Sequence, residues 1–178
     1  MRVVKRILII IAVLVLVSSA FASEEKQELA TGYVTNGMHQ ESFQYPKSYE
    51  IEDEGDIGTY VYLNKTDWVS ISIPKQGLSG VKQLHENIGN EEYIIALADN
   101  LHVFATHGDE HQLPFTRSCD IVEVGVNLPN GTGLIVNAYC LYGQAEIYDL
   151  LLTILGSMTE IKQLENWLFQ EWIPYVSQ

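Results

Sequence analysis

Asp120-Ile121-Val122-Glu123-Val124-Gly125-Val126-Asn127-Leu128, the turn Pro129-Asn130-Gly131 and the return from Gly133 to Tyr142 decide the fold. Val122, Val124, Val126 and Leu128 recur at every second position, the period of a strand with one face buried. Pro129-Asn130-Gly131 carries turn chemistry, so the two runs form a β-hairpin. Pairing Val122, Val124 and Val126 with Ala138, Val136 and Leu134 gives that hairpin one consistent apolar face.

Short strand-like segments precede it. Tyr33 to Thr35 and Ser42 to Tyr45 flank Asn36-Gly37, a turn-favouring pair. Pro46 and the acidic stretch Glu50 to Asp56 interrupt, the latter read as a charged loop between strands. Thr59 to Leu63 places Tyr60 and Tyr62 on one face. Trp68 to Ile73 alternates, with Val69, Ile71 and Ile73 on one side and Ser70 and Ser72 on the other. Ser79 to Ile88 reads as a helix, capped by Ser79 and stopped by Gly89. Glu91 to Ala98 leans to helix, Leu101 to Thr106 is a strand, and His107 to Leu113 is a turn or strand extension.

After the hairpin, Glu146 to Leu155 is a helix whose apolar face carries Ile147, Tyr148, Leu151, Ile154 and Leu155. A last amphipathic segment runs from Thr159 to Trp172, with Ile161, Leu164, Leu168 and Trp172 along one side. Hairpin-connected strands with helices near the middle and end make an α+β domain, an antiparallel sheet with helices packed on it. At 178 residues the chain suits one domain with a substantial core.

Some of these segments resemble a known family. Ser42-Phe43-Gln44-Tyr45-Pro46 is similar to the F-x-Y-P entry strand of PsbP-like domains. The strand Val69 to Ile73, the helix after it, the last hairpin and the ending Ile154-Leu155-Gly156-Ser157-Met158 extend the resemblance over Gln40 to Met158. It implies an antiparallel sheet sandwiched by helices in an α/β/α arrangement. It also implies an exported or envelope-associated accessory or binding module, without catalytic site or cofactor. Relatives commonly stop near Met158, whereas this chain continues for about twenty residues.

The N-terminus gives the expected address. Basic Met1 to Arg6, apolar Ile7 to Val17 and the Ala20-Phe21-Ala22 site make the pattern of a secretory signal peptide, residues 1–22. The uncharged stretch Ile7 to Ala22 has 16 residues, short for a membrane-spanning helix. The expected divisions are then 23–39, a mobile leader and first strand; 40–158, the PsbP-like domain; and 159–178, the C-terminal extension. Cleavage removes Arg2, Lys5 and Arg6, leaving seven basic residues against 23 acidic ones. Such a surface argues against nucleic acid, whose affinity depends on Lys and Arg; it keeps an exported protein in solution, the preferred reading, and otherwise favours cationic partners or divalent metals.

Residue constellations supply the competing functions. His102, His107 and His111 lie within ten positions, and His107-Gly108-Asp109-Glu110-His111 matches the H-x-x-E-H pattern of inverted zinc peptidases. That motif needs a helix to put both histidines on one face, and Gly108 with strand-like surroundings opposes it. An exported metal-dependent hydrolase using His102, His107 and His111 is the alternative to a non-enzymatic reading, and His102, His107, Asp109 and His111 are weaker candidates for metal binding alone. In Glu50 to Asp56, Gly55 fits the sixth position of an EF-hand loop, but position twelve is Val61. Ser79 lacks the second glycine of a nucleophile elbow. Asn64-Lys65-Thr66 and Asn130-Gly131-Thr132 fit the N-glycosylation pattern and fall in turns.

Cys119 and Cys140 are expected to form a disulfide, because export favours oxidation and they lie symmetrically about the hairpin turn. Closing that loop contributes on the order of 3 kcal/mol. The valine-face register argues the other way, since it points the two cysteines to opposite faces unless a bulge realigns them. In the extension, Pro174 is expected to end the helix at Ile173. Trp167, Leu168, Trp172 and Tyr175 either cover the sheet or dock a protein partner or a second copy, as in an acidic inhibitor of a basic enzyme.

Overall fold

The computed structural model describes residues 27–37, 39–79, 94–109, 118–141 and 145–177. Within these, β1 (Leu29–Asn36) and β2 (His39–Pro46) form a two-stranded hairpin about Gly37, whose φ is 60°. The other strands are β3 (Glu50–Asp53), β4 (Thr59–Tyr62), β5 (Trp68–Ser72), β6 (Ile94–Ala98), β7 (Leu101–Asp109), β8 (Ser118–Asn127) and β9 (Gly133–Leu141). They build a seven-stranded sheet in the order β3-β4-β5-β9-β8-β7-β6, with every pairing antiparallel. The chain is an α+β fold dominated by that sheet.

The β8–β9 hairpin has the register that its apolar alternation requires: Val122 faces Ala138, Val124 faces Val136 and Val126 faces Leu134. These side chains, with Val61, Val69, Ile71 and Val103 on neighbouring strands, give the sheet a buried inner face. Helix α1 (Glu146–Gly156) covers it with Ile147, Leu150, Leu151, Ile154 and Leu155. A fully buried aliphatic side chain contributes about 1.5–3 kcal/mol, so this layer is a principal source of stability. The β1–β2 hairpin adds Val34 and Phe43 to the same core. It is tied to the sheet by Thr59 Oγ1 donating to Tyr33 O (2.7 Å) and Asn36 Nδ2 donating to Ile73 O (2.6 Å).

The C-terminal extension folds back onto this core. Helix α2 (Lys162–Trp167) runs into a wider π-helical turn, Leu168–Trp172, and then into α3 (Ile173–Val176). Pro174 therefore does not end the helix. The Ile173 N–H reaches Leu168 O, five residues back, and this wider turn accommodates a proline that cannot donate.

Three local expectations change. The acidic stretch expected as a loop is partly strand β3, followed by a 3₁₀ turn at Gly55–Ile57. Edge position explains it, because all four β3 residues are exposed and their charges keep water. The segment leaning to helix is strand β6, where pairing to β7 at the opposite edge outweighs a weak local preference. The last amphipathic segment, expected from Thr159, is helical only from Lys162, behind Ile161. The helix expected from Ser79 to Ile88 lies, beyond Ser79, outside the described residues.

Candidate functional site

Polar side chains gather at one end of the inner face. Asp120 continues the inward phase of Val122 and Val124, and the register sets it between His107 on β7 and Cys140 on β9. Asp67, next to Trp68 on β5, falls beside Cys140 when that register is continued by one residue. Asp67, Asp120 and Cys140 are all buried. His107 Nδ1 lies 2.5 Å from Asp120 Oδ1 and donates to it. Tyr148 of α1 approaches Asp120 Oδ2 with its hydroxyl at 3.5 Å, and Trp172 Nε1 donates to that hydroxyl oxygen at 2.9 Å. Tyr175 closes the group by meeting His107 edge-on, with ring centroids 5.6 Å apart.

Chemically this row is better suited to holding parts together than to reacting. Burial, and then the Asp120 carboxylate, push the Cys140 thiol up to about 12, so it stays protonated at neutral pH. A nucleophilic cysteine needs the opposite shift. His107 and Cys140 lie two strand spacings apart, about 10 Å, with Asp120 between them. Burial likewise raises the Tyr148 phenol, with the neighbouring Cys140 adding to it.

The register corrects the disulfide. β8 and β9 pair without a bulge, so Cys119 faces Leu141 while Cys140 faces Asp120. The two cysteines project to opposite faces of the sheet, and no bond joins them. Strand geometry also separates the metal candidates. His107 lies on the inner face and His102, five positions away on β7, on the outer one, so the two cannot hold one ion. The side chain of Asp109 and the whole of His111 lie outside the described residues, among which no metal-holding cluster is found.

The partner-docking candidates are placed differently from one another. Trp167, Leu168 and Trp172 are buried in the core cluster that also holds residues of the sheet and α1. Tyr175 remains 58% exposed. Of the two glycosylation candidates, Asn64 Nδ2 donates to Asp67 Oδ2 at 2.6 Å, and Asn130 Nδ2 donates to Glu41 Oε1 at 2.9 Å.

The outer face carries the more distinctive surface. With Val61 and Val69 turned inward, alternation sends Tyr60, Tyr62 and Trp68 outward, and Tyr139 follows on β9. Register aligns Tyr62, Trp68 and Tyr139 across three strands. Trp68 stacks on Tyr139 at 5.0 Å and 8°, and Tyr60 meets Trp68 edge-on at 5.5 Å. All four rings are half-buried. On the edge strand beside them, Glu50 faces Tyr62 and Glu52 faces Tyr60. Tyr62 Oη donates to Glu52 Oε2 at 3.1 Å, and burial together with that carboxylate raises its phenol. Strands β3, β4 and β5 contain neither Lys nor Arg.

A shallow cavity of about 360 Å³ lies near the hairpin turns, lined by Asn36, His39, Ile73, Lys75 and Thr132 among others. Two of its glycine N–H groups are used within their own turns, Gly77 to Pro74 O and Gly131 to Leu128 O. No family model, curated protein or solved structure matches the chain.

Sequence reasoning had placed Tyr60 and Tyr62 on one face but had not joined them to Trp68 and Glu52. Asp120 was missed as an interior residue. Its signal was present, an Asp in phase with Val122, Val124 and Val126.

Proposed function

We propose that the chain is an exported, non-enzymatic accessory or binding module built on a PsbP-like domain, and that it works through the aromatic corner of its outer face. The observation carrying this reading is the alignment of Tyr62, Trp68 and Tyr139 across three adjacent strands, with Tyr60 beside them and carboxylates at the border. Aromatic side chains in such clusters supply much of the energy of recognition. The signal-like N-terminus supports export, and the antiparallel sheet with α1 laid across it supports the domain type. No helix among the described residues is long and apolar enough to cross a membrane. The interior use of His107, Asp120 and Cys140 supports a role other than catalysis.

Chemical cross-linking in the secreted or envelope fraction of the native host, followed by affinity isolation, tests the reading. The wild-type chain should retain a defined partner. The Tyr60→Ser, Trp68→Ser double variant, folded by circular dichroism, should lose it. Retention of every partner by that variant would show that recognition lies elsewhere.

A further inference from the structure

We infer that the aromatic corner receives an extended basic segment of a partner protein, laid along strand β3 with Lys or Arg side chains over Tyr60 and Tyr62; this rests on reading the corner as a binding surface. Three observations select that occupant. The first is charge. Glu50 and Glu52 stand in register with Tyr62 and Tyr60, and no Lys or Arg on β3, β4 or β5 neutralises them. The whole chain carries a formal charge of −13, which steers cations toward it and anions away. The second is the rings. A cation beside Tyr or Trp gains from the ring quadrupole, and adjacent carboxylates add to that attraction. Burial first, and then the Glu52 carboxylate that accepts its hydroxyl, raise the Tyr62 phenol.

The third observation is the edge. β3 is the terminal strand of the sheet and all four of its residues are exposed. An extended segment beside an edge strand gains main-chain hydrogen bonds, while alternate side chains fall on one face. On the outer face those side chains meet Glu50, Glu52 and the tyrosines, and Trp68 lies one strand farther in. A flat neutral ligand fits less well, because Trp68 and Tyr139 spend facing ring surfaces on each other.

Titration of the intact mature chain with short synthetic peptides tests this, read by Trp68 fluorescence in a Trp167→Phe, Trp172→Phe background or by isothermal calorimetry on the unmodified protein. A peptide alternating Lys with Thr should bind, and weaken with added salt. Peptides alternating Gln or Glu with Thr should not. Glu50→Gln and Glu52→Gln should each weaken the Lys peptide roughly two- to fivefold. Tyr60→Leu should weaken it about threefold. Glu165→Gln with Glu171→Gln, on the far helix, should change nothing; equal weakening there would mean diffuse charge attraction and overturn the proposal. Binding of the Gln peptide as tightly as the Lys peptide would overturn it too, while leaving the corner as a recognition surface for a neutral chain. If the Tyr60→Ser, Trp68→Ser variant binds the Lys peptide as well as wild type does, the corner itself is excluded.

Discussion

Trp172 donates its indole N–H to the hydroxyl of Tyr148 at 2.9 Å, so the π-helical turn of the extension and α1 are joined by a buried hydrogen bond beside the Asp120 carboxylate. The extension is therefore part of the domain's core. Truncation after Met158 removes Leu164, Trp167, Leu168 and Trp172, all buried. At about 1.5–3 kcal/mol each, their loss rivals the whole stability of an ordinary domain. The truncated chain should lose its cooperative thermal transition in calorimetry. Trp172→Phe, which keeps an aromatic ring but removes the donor and the rest of the buried indole, should cost about 2 kcal/mol in urea unfolding.

Asp120 is the acceptor on which the polar end of the inner face depends. Asp120→Ala leaves the His107 ring N–H and the Tyr148 hydroxyl without that acceptor, and should cost about 3 kcal/mol. His107→Ala should cost about 1 kcal/mol, because its side chain is 26% exposed and water replaces part of what it loses. Urea unfolding of the two variants checks the order. A costlier His107→Ala would mean that the imidazole carries more of the structure than its partner does.

How much of this was legible depended on the range over which each signal acts. The β8–β9 register followed from Val122, Val124 and Val126 alone, because a slip by one residue would turn three valines to water. Helix α1 was legible for the same reason at helical spacing. Strands β3 and β6 were not: both are short edge strands, β3 mostly acidic and β6 apolar at every position without alternation, and their pairing is decided by β4 and β7. Pro174 misled because the turn that accommodates it is a rare one. The aromatic corner depends on register across β3, β4, β5 and β9, so no single segment contains it.

Backbone constraint gives a contrast between two glycines. Gly58 has φ 145°, and a Cβ there would lie 2.6 Å from the carbonyl oxygen of Ile71. Neither the conformation nor the backbone neighbour can yield, so Gly58→Ala should cost more than about 2 kcal/mol. Gly131, with φ 88°, has open space around its missing Cβ. Gly131→Ala should cost only about 1 kcal/mol, the conformational strain by itself. Equal losses of thermal stability in the two variants would contradict the close approach of β5 to Gly58.

The Cys140 thiol makes stability fall at alkaline pH. Its ordinary pKa is 9.0 and burial, with Asp120 next, raises it to about 12 in the folded chain. Below about pH 9 the thiol is protonated in both states and its contribution to stability is fully present. Between 9 and 12 the unfolded chain ionises while the folded one does not, so stability is lost by up to about 1.4 kcal/mol per pH unit. Tyr148, also raised by burial from 10.0, steepens the loss at higher pH. Urea midpoints of wild type should therefore drop between about pH 9 and 10, where Cys140→Ala stays flatter. The same chemistry decides the cysteine pairing. Iodoacetamide near pH 8 should leave Cys140 unmodified in the folded chain and alkylate both cysteines once it is denatured without reductant. A denatured chain that takes up no label would mean a Cys119–Cys140 bridge, and with it a register in which both face the same side.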